Sequence, residues 1–140
     1  MLKHPLFLII DGTSQAYRAY FAIRGLANSQ GIPTNATYGF AIMLKRVVEK
    51  YPPDYICVAF DSPEPTVRHT QYDLYKATRK KMPADLSQQI PYIRRFCEAM
   101  RIPAIAIPGH EADDIIGAIA TQAVTRGLYP VVVTLDKDLY

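Results

Sequence analysis

Short apolar runs alternate with longer amphipathic segments along the chain. Four runs are almost free of polar residues, as is typical of strands buried on both faces of a sheet. They cover residues 6–10, 55–60, 104–107 and 131–133. Strands that alternate with helical segments predict an α/β fold, a three-layer α/β/α domain with a mainly parallel central sheet. We expect residues 1–140 to form this one domain, with the strands in the order 3-2-1-4.

The segments between the strands carry apolar residues at helical spacing. Helices are predicted over residues 15–23, 36–50 and 83–101, and a fourth runs from the acidic stretch at 109–114 to Gly127. Thr13 or Ser14 is expected to cap the first helix. Pro91 is expected to kink or divide the third helix, because proline has no amide hydrogen to donate. The core face of that helix is assigned to Leu86, Ile90, Ile93, Cys97 and Met100.

Acidic residues follow the predicted strands. Asp11 ends the first run, Asp61 ends the second, and the third leads through a Pro-Gly turn into three clustered acids. Ligands of open α/β sheets bind at the carboxyl edge of the strands. With the order 3-2-1-4 the first and fourth strands are neighbours, so acids from separate parts of the sequence converge on one crevice. The seven acids are Asp11, Asp61, Glu111, Asp113, Asp114, Asp136 and Asp138.

The acidic cluster before the fourth helix is costly without a cation. Two like charges about 4 Å apart repel by roughly 4 kcal/mol at an effective dielectric constant near 20. A helix N-terminus returns only about 0.3 to 1 kcal/mol for each carboxylate. Ligand sets made only of oxygen suit hard cations. We therefore predict a site for two divalent cations, Mg²⁺ or Mn²⁺.

The charge and composition of the chain narrow the class of substrate that it could bind. The 140 residues include 16 Lys and Arg and 13 Asp and Glu, for a formal net charge of +3. If seven acids share one cleft, the rest of the surface is strongly basic, as a polyanionic phosphodiester substrate requires. The two cysteines, Cys57 and Cys97, have no partner at metal-binding spacing and are assigned as buried apolar residues. No segment has the length of a signal sequence core or membrane span, so a cytoplasmic protein is expected.

Residues 63–83 differ from the rest of the chain, being basic and tyrosine-rich without a core-facing stripe. On a helix Tyr72, Tyr75, Lys76 and Arg79 would share one face. Aromatic stacking combined with phosphate neutralisation is how proteins hold single-stranded nucleic acid; a solvated basic face is the alternative. The predicted DNA-binding residues are Arg18, Arg68, Tyr72, Tyr75, Lys76, Arg79, Lys80 and Lys81. For Arg18 the sequence leaves two positions open, toward the cleft or toward solvent.

Five motifs in order carry a resemblance to a known family: LFLIIDGTSQAYRAYFA, TNATYGF, ICVAFDSPEPTVRHTQYDLYKATRK, IPGHEADDIIG and VVVTLDKDLY. Together they resemble the N-terminal 5′-nuclease domain of bacterial DNA polymerase I, within the flap endonuclease and PIN-like superfamily. The resemblance implies that the seven acids match the family's metal ligands. It also implies that residues 63–83 form a helical arch holding Arg68, Tyr75, Lys76 and Arg79, with Lys76 and Arg79 as catalytic residues near the scissile phosphate.

The implied activity is metal-dependent 5′-3′ exonuclease and 5′-flap endonuclease cleavage in DNA replication and repair. Its implied partner is DNA with 5′ flaps, nicks or single-stranded 5′ ends, in the cytoplasm at the nucleoid. Members of the family continue past the last motif with two further aspartates and a helix-hairpin-helix-like element. We therefore expect a chain truncated at its C-terminus, which a polymerase domain could follow in the parent polypeptide.

Three other functions remain open from the sequence. The chain could be a non-catalytic fragment that binds DNA or metal, or a PIN-type ribonuclease. A phosphatase of the haloacid-dehalogenase type is suggested by Asp11-Gly12-Thr13. That class requires a nucleophilic aspartate two positions before the Asp of this motif, where the chain has Ile9.

Overall fold

The computed structural model describes residues 4–63 and 82–135. Its centre is a four-stranded sheet in the order β3-β2-β1-β4. The strands are β1 (Leu6–Asp11), β2 (Tyr55–Ala59), β3 (Ala104–Ile105) and β4 (Tyr129–Val133). Each neighbouring pair is parallel. The predicted strand order and parallel sheet are therefore confirmed.

Within the two described ranges, four helices cover the faces of the sheet: α1 (Gly12–Ala22), α2 (Asn35–Lys50), α3 (Ala84–Ala99) and α4 (Ala112–Thr125). Side chains alternate between faces along a strand. Leu8 and Ile10 of β1 accordingly pack with α1, α2 and α3 in one cluster, and Ile9 packs with α4 in another. All three are fully buried. The predicted three-layer α/β/α arrangement is confirmed.

The first helix begins earlier than predicted and has a different cap. Asp11 has extended backbone angles, and its Oδ1 accepts a hydrogen bond of 3.1 Å from the Ser14 amide. The Ser14 hydroxyl instead donates to the Asp11 carbonyl oxygen at 3.3 Å. The prediction of Thr13 or Ser14 as the cap was therefore wrong. The last residue of the strand, a carboxylate, occupies that position.

Two expectations for the third helix can be compared with the structure. Pro91 lies inside α3, which is one uninterrupted helix, so the proline does not divide it, and the alternative of a kink stays a prediction. Pro91 is exposed, so solvent can reach the carbonyl group that its missing amide leaves without a helical partner. Met100 was assigned to the core, but it follows the last residue of the helix and is 58% exposed. Leu86, Ile93 and Cys97 are buried as predicted.

The outer strands depart from the apolar pattern at their ends. β3 has only two residues, which pair with Val58 and Ala59, whereas the predicted run was four residues long. β4 begins at Tyr129, earlier than predicted, and contains Pro130. A proline is tolerated there because, among the described residues, β4 is an edge strand that pairs with β1 alone.

A buried polar network joins three helices near the C-terminal end of α1. The Gln89 side chain is fully buried; its Nε2 donates to Asn35 Oδ1 at 2.8 Å, and its Oε1 accepts from the Thr37 amide at 2.9 Å. Asn35 Nδ2 in turn donates to the carbonyl oxygens of Tyr20 and Ile23. The amide groups of Gln89 and Asn35 thus hold the start of α2 against α1 and α3.

The cysteine prediction is confirmed. Cys57 and Cys97 are both buried and free. Burial raises the pKa of each thiol to about 11, as expected for small apolar side chains inside a core. Among the helices of the described ranges, none combines the length and the apolar character that crossing a membrane requires.

Candidate metal and nucleic-acid site

Asp11 lies at the carboxyl edge of the central strand and is only 6% exposed. One carboxylate oxygen accepts from the Ser14 amide, and the other accepts from the Thr134 hydroxyl at 3.0 Å. Thr134 directly follows β4, the neighbour of β1. The carboxylate is therefore oriented by the first turn of α1 and by the residue that follows β4.

The electrostatics of Asp11 are unusual for an aspartate. Burial raises the pKa of its carboxyl group, while the hydrogen bonds from Ser14 and Thr134 oppose this rise. The negative charge of Asp113, in the first turn of α4, raises the pKa further. A carboxylate from β1 and another from α4 thus lie close enough to repel each other. A nearby cation would relieve both the desolvation of Asp11 and this repulsion.

Asp61 joins the end of β2 to the start of two helices. Its amide donates to the Thr13 hydroxyl oxygen of α1 at 2.9 Å. Its Oδ1 accepts from the Ala112 amide at the start of α4 at 2.7 Å. A carboxylate on a helix N-terminus is favoured by the hydrogen bond and by the helix dipole. Asp61 therefore fixes where α4 begins relative to β2.

The remaining acids of the site occupy the first turn of α4. Glu111 is its N-cap, and the Glu111 amide donates to Asp114 Oδ2 at 3.3 Å in a reciprocal capping box. Asp113 lies between them on the helix, with its Oδ1 buried. Part of the repulsion inferred from the sequence is therefore offset by capping, which uses Glu111 and Asp114 to satisfy backbone amides.

All five predicted acids in the described part of the chain lie at the carboxyl edge of the sheet, but they are not equally close. Asp11 and Asp113 interact electrostatically, while Asp61 is held by its hydrogen bond to the start of α4. Within residues 4–63 and 82–135, no three His, Cys, Asp or Glu side chains form a group that could hold a metal ion. Asp136 and Asp138 lie outside those ranges. The metal-ligand assignment remains a prediction.

Most predicted DNA-binding residues also fall outside the described ranges. These are Arg68, Tyr72, Tyr75, Lys76, Arg79, Lys80 and Lys81, together with nearly all of the expected helical arch at 63–83. Arg18 is described and is exposed on α1. Its exposure is compatible with contact to a bound nucleic acid and with a solvated surface position, so its role also remains a prediction.

Two threonines were missed by the sequence analysis as site residues. Thr13 accepts the hydrogen bond from the Asp61 amide, and Thr134 donates to Asp11. Both are nearly buried. The available signal was a hydroxyl residue immediately beside each strand end, at Gly12-Thr13 and Val133-Thr134. Each hydroxyl bonds to the acid-bearing residue at the end of a neighbouring strand, Thr13 to the amide of Asp61 and Thr134 to the carboxylate of Asp11.

The fold is that of the 5′-nucleases. The flap endonuclease of bacteriophage T5, solved in a complex with DNA and metal ions, superposes with a TM-score of 0.63 at 18% sequence identity. The match covers 96% of this chain and 50% of that one. The T5 5′-exonuclease with bound zinc ions gives a TM-score of 0.63 at 19% identity, with the same two coverages.

The chain belongs to the family of the 5′-3′ exonuclease N-terminal resolvase-like domain, whose model matches residues 6–140. It is 45% identical to DNA polymerase I of Geobacillus stearothermophilus over 138 residues, which are 99% of this chain and 16% of the relative. It is 44% identical to the 5′-3′ exonuclease of Buchnera aphidicola over 137 residues, 98% of this chain and 45% of the relative. The chain thus spans less than half of either relative. The family resemblance is confirmed, and it removes the haloacid-dehalogenase alternative.

Proposed function

We propose that the protein is a divalent-metal-dependent nuclease that hydrolyses DNA phosphodiesters near a free 5′ end. It would act as a 5′-3′ exonuclease and 5′-flap endonuclease in replication and repair. The observation that carries this proposal is the buried Asp11 carboxylate at the carboxyl edge of the sheet, whose pKa is raised by burial and also by the charge of Asp113, in a chain of the 5′-3′ exonuclease family. Two repelling carboxylates at a ligand-binding edge favour a cation between them.

The donor set fits a hard divalent cation. We propose that Asp11, Asp61 and Asp113, with Glu111 and Asp114, hold one Mg²⁺ or Mn²⁺ ion. Asp136 and Asp138 would hold a second ion, with Asp113 shared. No three acids of residues 4–63 and 82–135 form a group that could hold a metal ion, so the first ion would require these carboxylates to move closer together or to be joined by a further ligand from residues 136–138. When bound, such ions lower the pKa of a coordinated water and stabilise charge on the leaving oxygen.

The protein's own groups would position this site and its substrate. Ser14 and Thr134 orient the Asp11 carboxylate, and Asp61 fixes the start of α4 that carries Asp113. We propose that residues 63–83 form an arch whose basic and aromatic side chains hold the 5′ strand. Charge neutralisation at the scissile phosphate is assigned to Lys76 and Arg79. Base stacking and further phosphate contacts are assigned to Tyr72, Tyr75, Arg18, Arg68, Lys80 and Lys81.

We propose flapped, nicked or single-stranded 5′ DNA ends as the substrate, at the nucleoid in the cytoplasm. A polymerase domain in the same polypeptide is proposed as a covalent partner. Support for this partner comes from the relatives named DNA polymerase I, of which the chain spans about a sixth or less.

Cleavage of a labelled 5′-flap DNA, with Mg²⁺, Mn²⁺ or EDTA, tests the proposed activity. We expect cutting that depends on metal and falls by about a hundredfold or more in Asp113→Asn, because one charge-bearing ligand is lost. Glu49→Gln is the matched control, since Glu49 is exposed at the end of α2 that leads to the opposite edge of the sheet.

Three results would contradict the proposal. Metal-dependent cutting of RNA with none of flap DNA would favour the PIN-type ribonuclease. Binding of flap DNA without cutting in either metal would favour a non-catalytic binding module. Equal cleavage by Asp113→Asn and the wild type would remove Asp113 from the site.

A further inference from the structure

Arg94 occupies a position that the proposed nuclease site does not explain. It lies in α3 on the side that faces the sheet, with its guanidinium carbon 5.8 Å from the centroid of the Phe60 ring. The side chain is half-buried. At this distance the positive charge interacts with the face of the ring, and the contact restrains the position of the guanidinium.

The aromatic ring that Arg94 contacts belongs to the residue next to Asp61, one of the predicted metal ligands. Phe60 directly precedes Asp61 and is 1% exposed. The edge of its ring lies against Gly12, where an added Cβ would stand 2.6 Å from Phe60 Cε1. Gly12 in turn follows Asp11. The guanidinium of Arg94 is therefore separated by one aromatic ring from the strand ends that carry two of the predicted metal ligands.

One hydrogen-bond donor of Arg94 has no acceptor within the described part of the chain. Its Nε is buried and has no hydrogen-bond partner there. A buried donor without an acceptor is costly, and more so on a charged group. The guanidinium presents its donors in a planar fork that matches the oxygens of a phosphate. The contact with Phe60 thus holds a cation near the strand end that carries Asp61.

We infer that Arg94 binds a backbone phosphate of the nucleic-acid substrate next to the acid-lined edge. This inference rests on the proposed function, since it assigns an additional contact of the same substrate. The Phe60 ring positions the guanidinium, and the phosphate would be bound by the terminal Nη groups, since the buried Nε is not accessible from solvent. The phosphate is attracted by a fixed positive charge on the helix side, while the acids lie beyond the ring.

Arg95 provides a matched control on the next position of the same helix. It has the same charge, and its guanidinium carbon lies 5.9 Å from the centroid of the Tyr92 ring. Arg95 and Tyr92, however, are exposed on the outer side of α3. Replacing either arginine removes one positive charge and one contact with an aromatic ring, but of the two only Arg94 contacts the residue that precedes Asp61.

The test is equilibrium binding of a fluorescent 5′-flap DNA to the full-length protein in EDTA, measured by anisotropy at salt concentrations from about 50 to 200 mM. We expect Arg94→Gln to weaken binding about tenfold. It should also lower the slope of log K against log salt by about 0.7 to 0.9, the amount for one phosphate contact. Arg94→Lys should keep the salt slope while recovering part of the affinity, and Arg95→Gln should bind like the wild type.

The possible results separate this inference from the proposed activity. Equal affinities and salt slopes for Arg94→Gln and Arg95→Gln would overturn it, as would a wild type that does not bind the DNA. Weaker binding with an unchanged salt slope and no rescue by Arg94→Lys would mean a packing role, which also overturns it. A wild type that binds through Arg94 but never cuts would contradict only the proposed nuclease activity.

Discussion

Thr134 donates its hydroxyl hydrogen to Oδ2 of Asp11 at 3.0 Å, although the two residues are 123 positions apart in the sequence. The contact is buried, and it joins the end of β4 to the end of β1. It depends on the parallel pairing of these two strands. Because Asp11 is also the cap of α1, the same hydroxyl supports both the fold and the orientation of a predicted metal ligand.

Removal of this hydroxyl should affect both stability and activity. Thr134→Val keeps the shape of the side chain but leaves a buried carboxylate oxygen with one hydrogen bond fewer. We expect the free energy of unfolding to fall by about 1.5 to 3 kcal/mol, the range for hydrogen bonds to charged groups. Urea denaturation measures this loss, and flap cleavage should fall in parallel. Thr134→Ser retains the hydroxyl, so comparable losses in Ser and Val would contradict the assigned role.

Neutralisation of Asp11 should stabilise the protein while it abolishes activity. Burial raises the pKa of Asp11, so folding favours its protonated form. Its stability contribution is present below the unfolded pKa and is lost as the pH rises through the folded pKa. At neutral pH the ionised carboxylate therefore lowers the stability of the folded protein. In Asp11→Asn the side-chain NH2 group can donate to the Thr134 hydroxyl oxygen, and the side-chain carbonyl oxygen can still accept from the Ser14 amide.

We expect Asp11→Asn to raise Tm by a few degrees in EDTA at neutral pH, as substitutions at functional sites often do. Cleavage should fall by about a hundredfold or more. The gain in Tm should shrink as the pH falls and the wild-type carboxyl group becomes protonated. Asp54→Asn is the control, because exposed Asp54 accepts a bond from the Leu6 amide and is not expected to gain stability. A lower Tm for Asp11→Asn at neutral pH would contradict the prediction.

Alanine substitutions at Gly12 and Gly117 are expected to change the free energy of unfolding in opposite directions. A Cβ at Gly12 would lie 2.6 Å from Phe60 Cε1 and 2.7 Å from Val58 Cγ1, so Gly12→Ala should overpack the core. The expected loss is about 1 to 3 kcal/mol of unfolding free energy. Gly117 lies within α4, and a Cβ added there would meet no neighbouring element within 4 Å. Gly117→Ala should therefore stabilise the protein by about 0.5 to 1 kcal/mol.

Chemical denaturation of the two variants measures both values. If Gly12→Ala has the stability of the wild type, the ring of Phe60 can move aside, and the close packing that supports Arg94 and Asp11 would not be rigid. If Gly117→Ala is destabilising, the outer surface of α4 is covered in the folded protein.

The apolar runs were sufficient to predict the strand order, because runs without polar residues separated by helical segments leave few alternatives to a parallel sheet. The details at the strand ends were not predictable in the same way. Asp11, Thr13 and Ser14 are all good capping residues, and only the position where β1 ends decides that Asp11 has this role. Local periodicity likewise placed Met100 in the core, although α3 ends one residue earlier.

The sequence predicted which acids lie at the site, but it did not predict the hydrogen bonds that these acids form. The strand-end rule placed Asp11, Asp61 and the acids of α4 at one edge, where the structure has them. It could not show that Asp61 and Asp114 accept hydrogen bonds from backbone amides at the start of α4, since these bonds depend on how α4 meets β2. The contact of Thr134 with Asp11 likewise requires knowledge of which strands are neighbours.

The Gln89 network has a mechanical consequence for the basic segment at 64–81. This segment is followed within a few residues by α3, whose first turns are attached through Gln89 to Asn35 and Thr37. Sliding α3 along α2 would break three hydrogen bonds of the Gln89 side chain at once. The start of α3 is therefore fixed relative to α1 and α2, so the polypeptide that enters this helix joins the domain at a defined position.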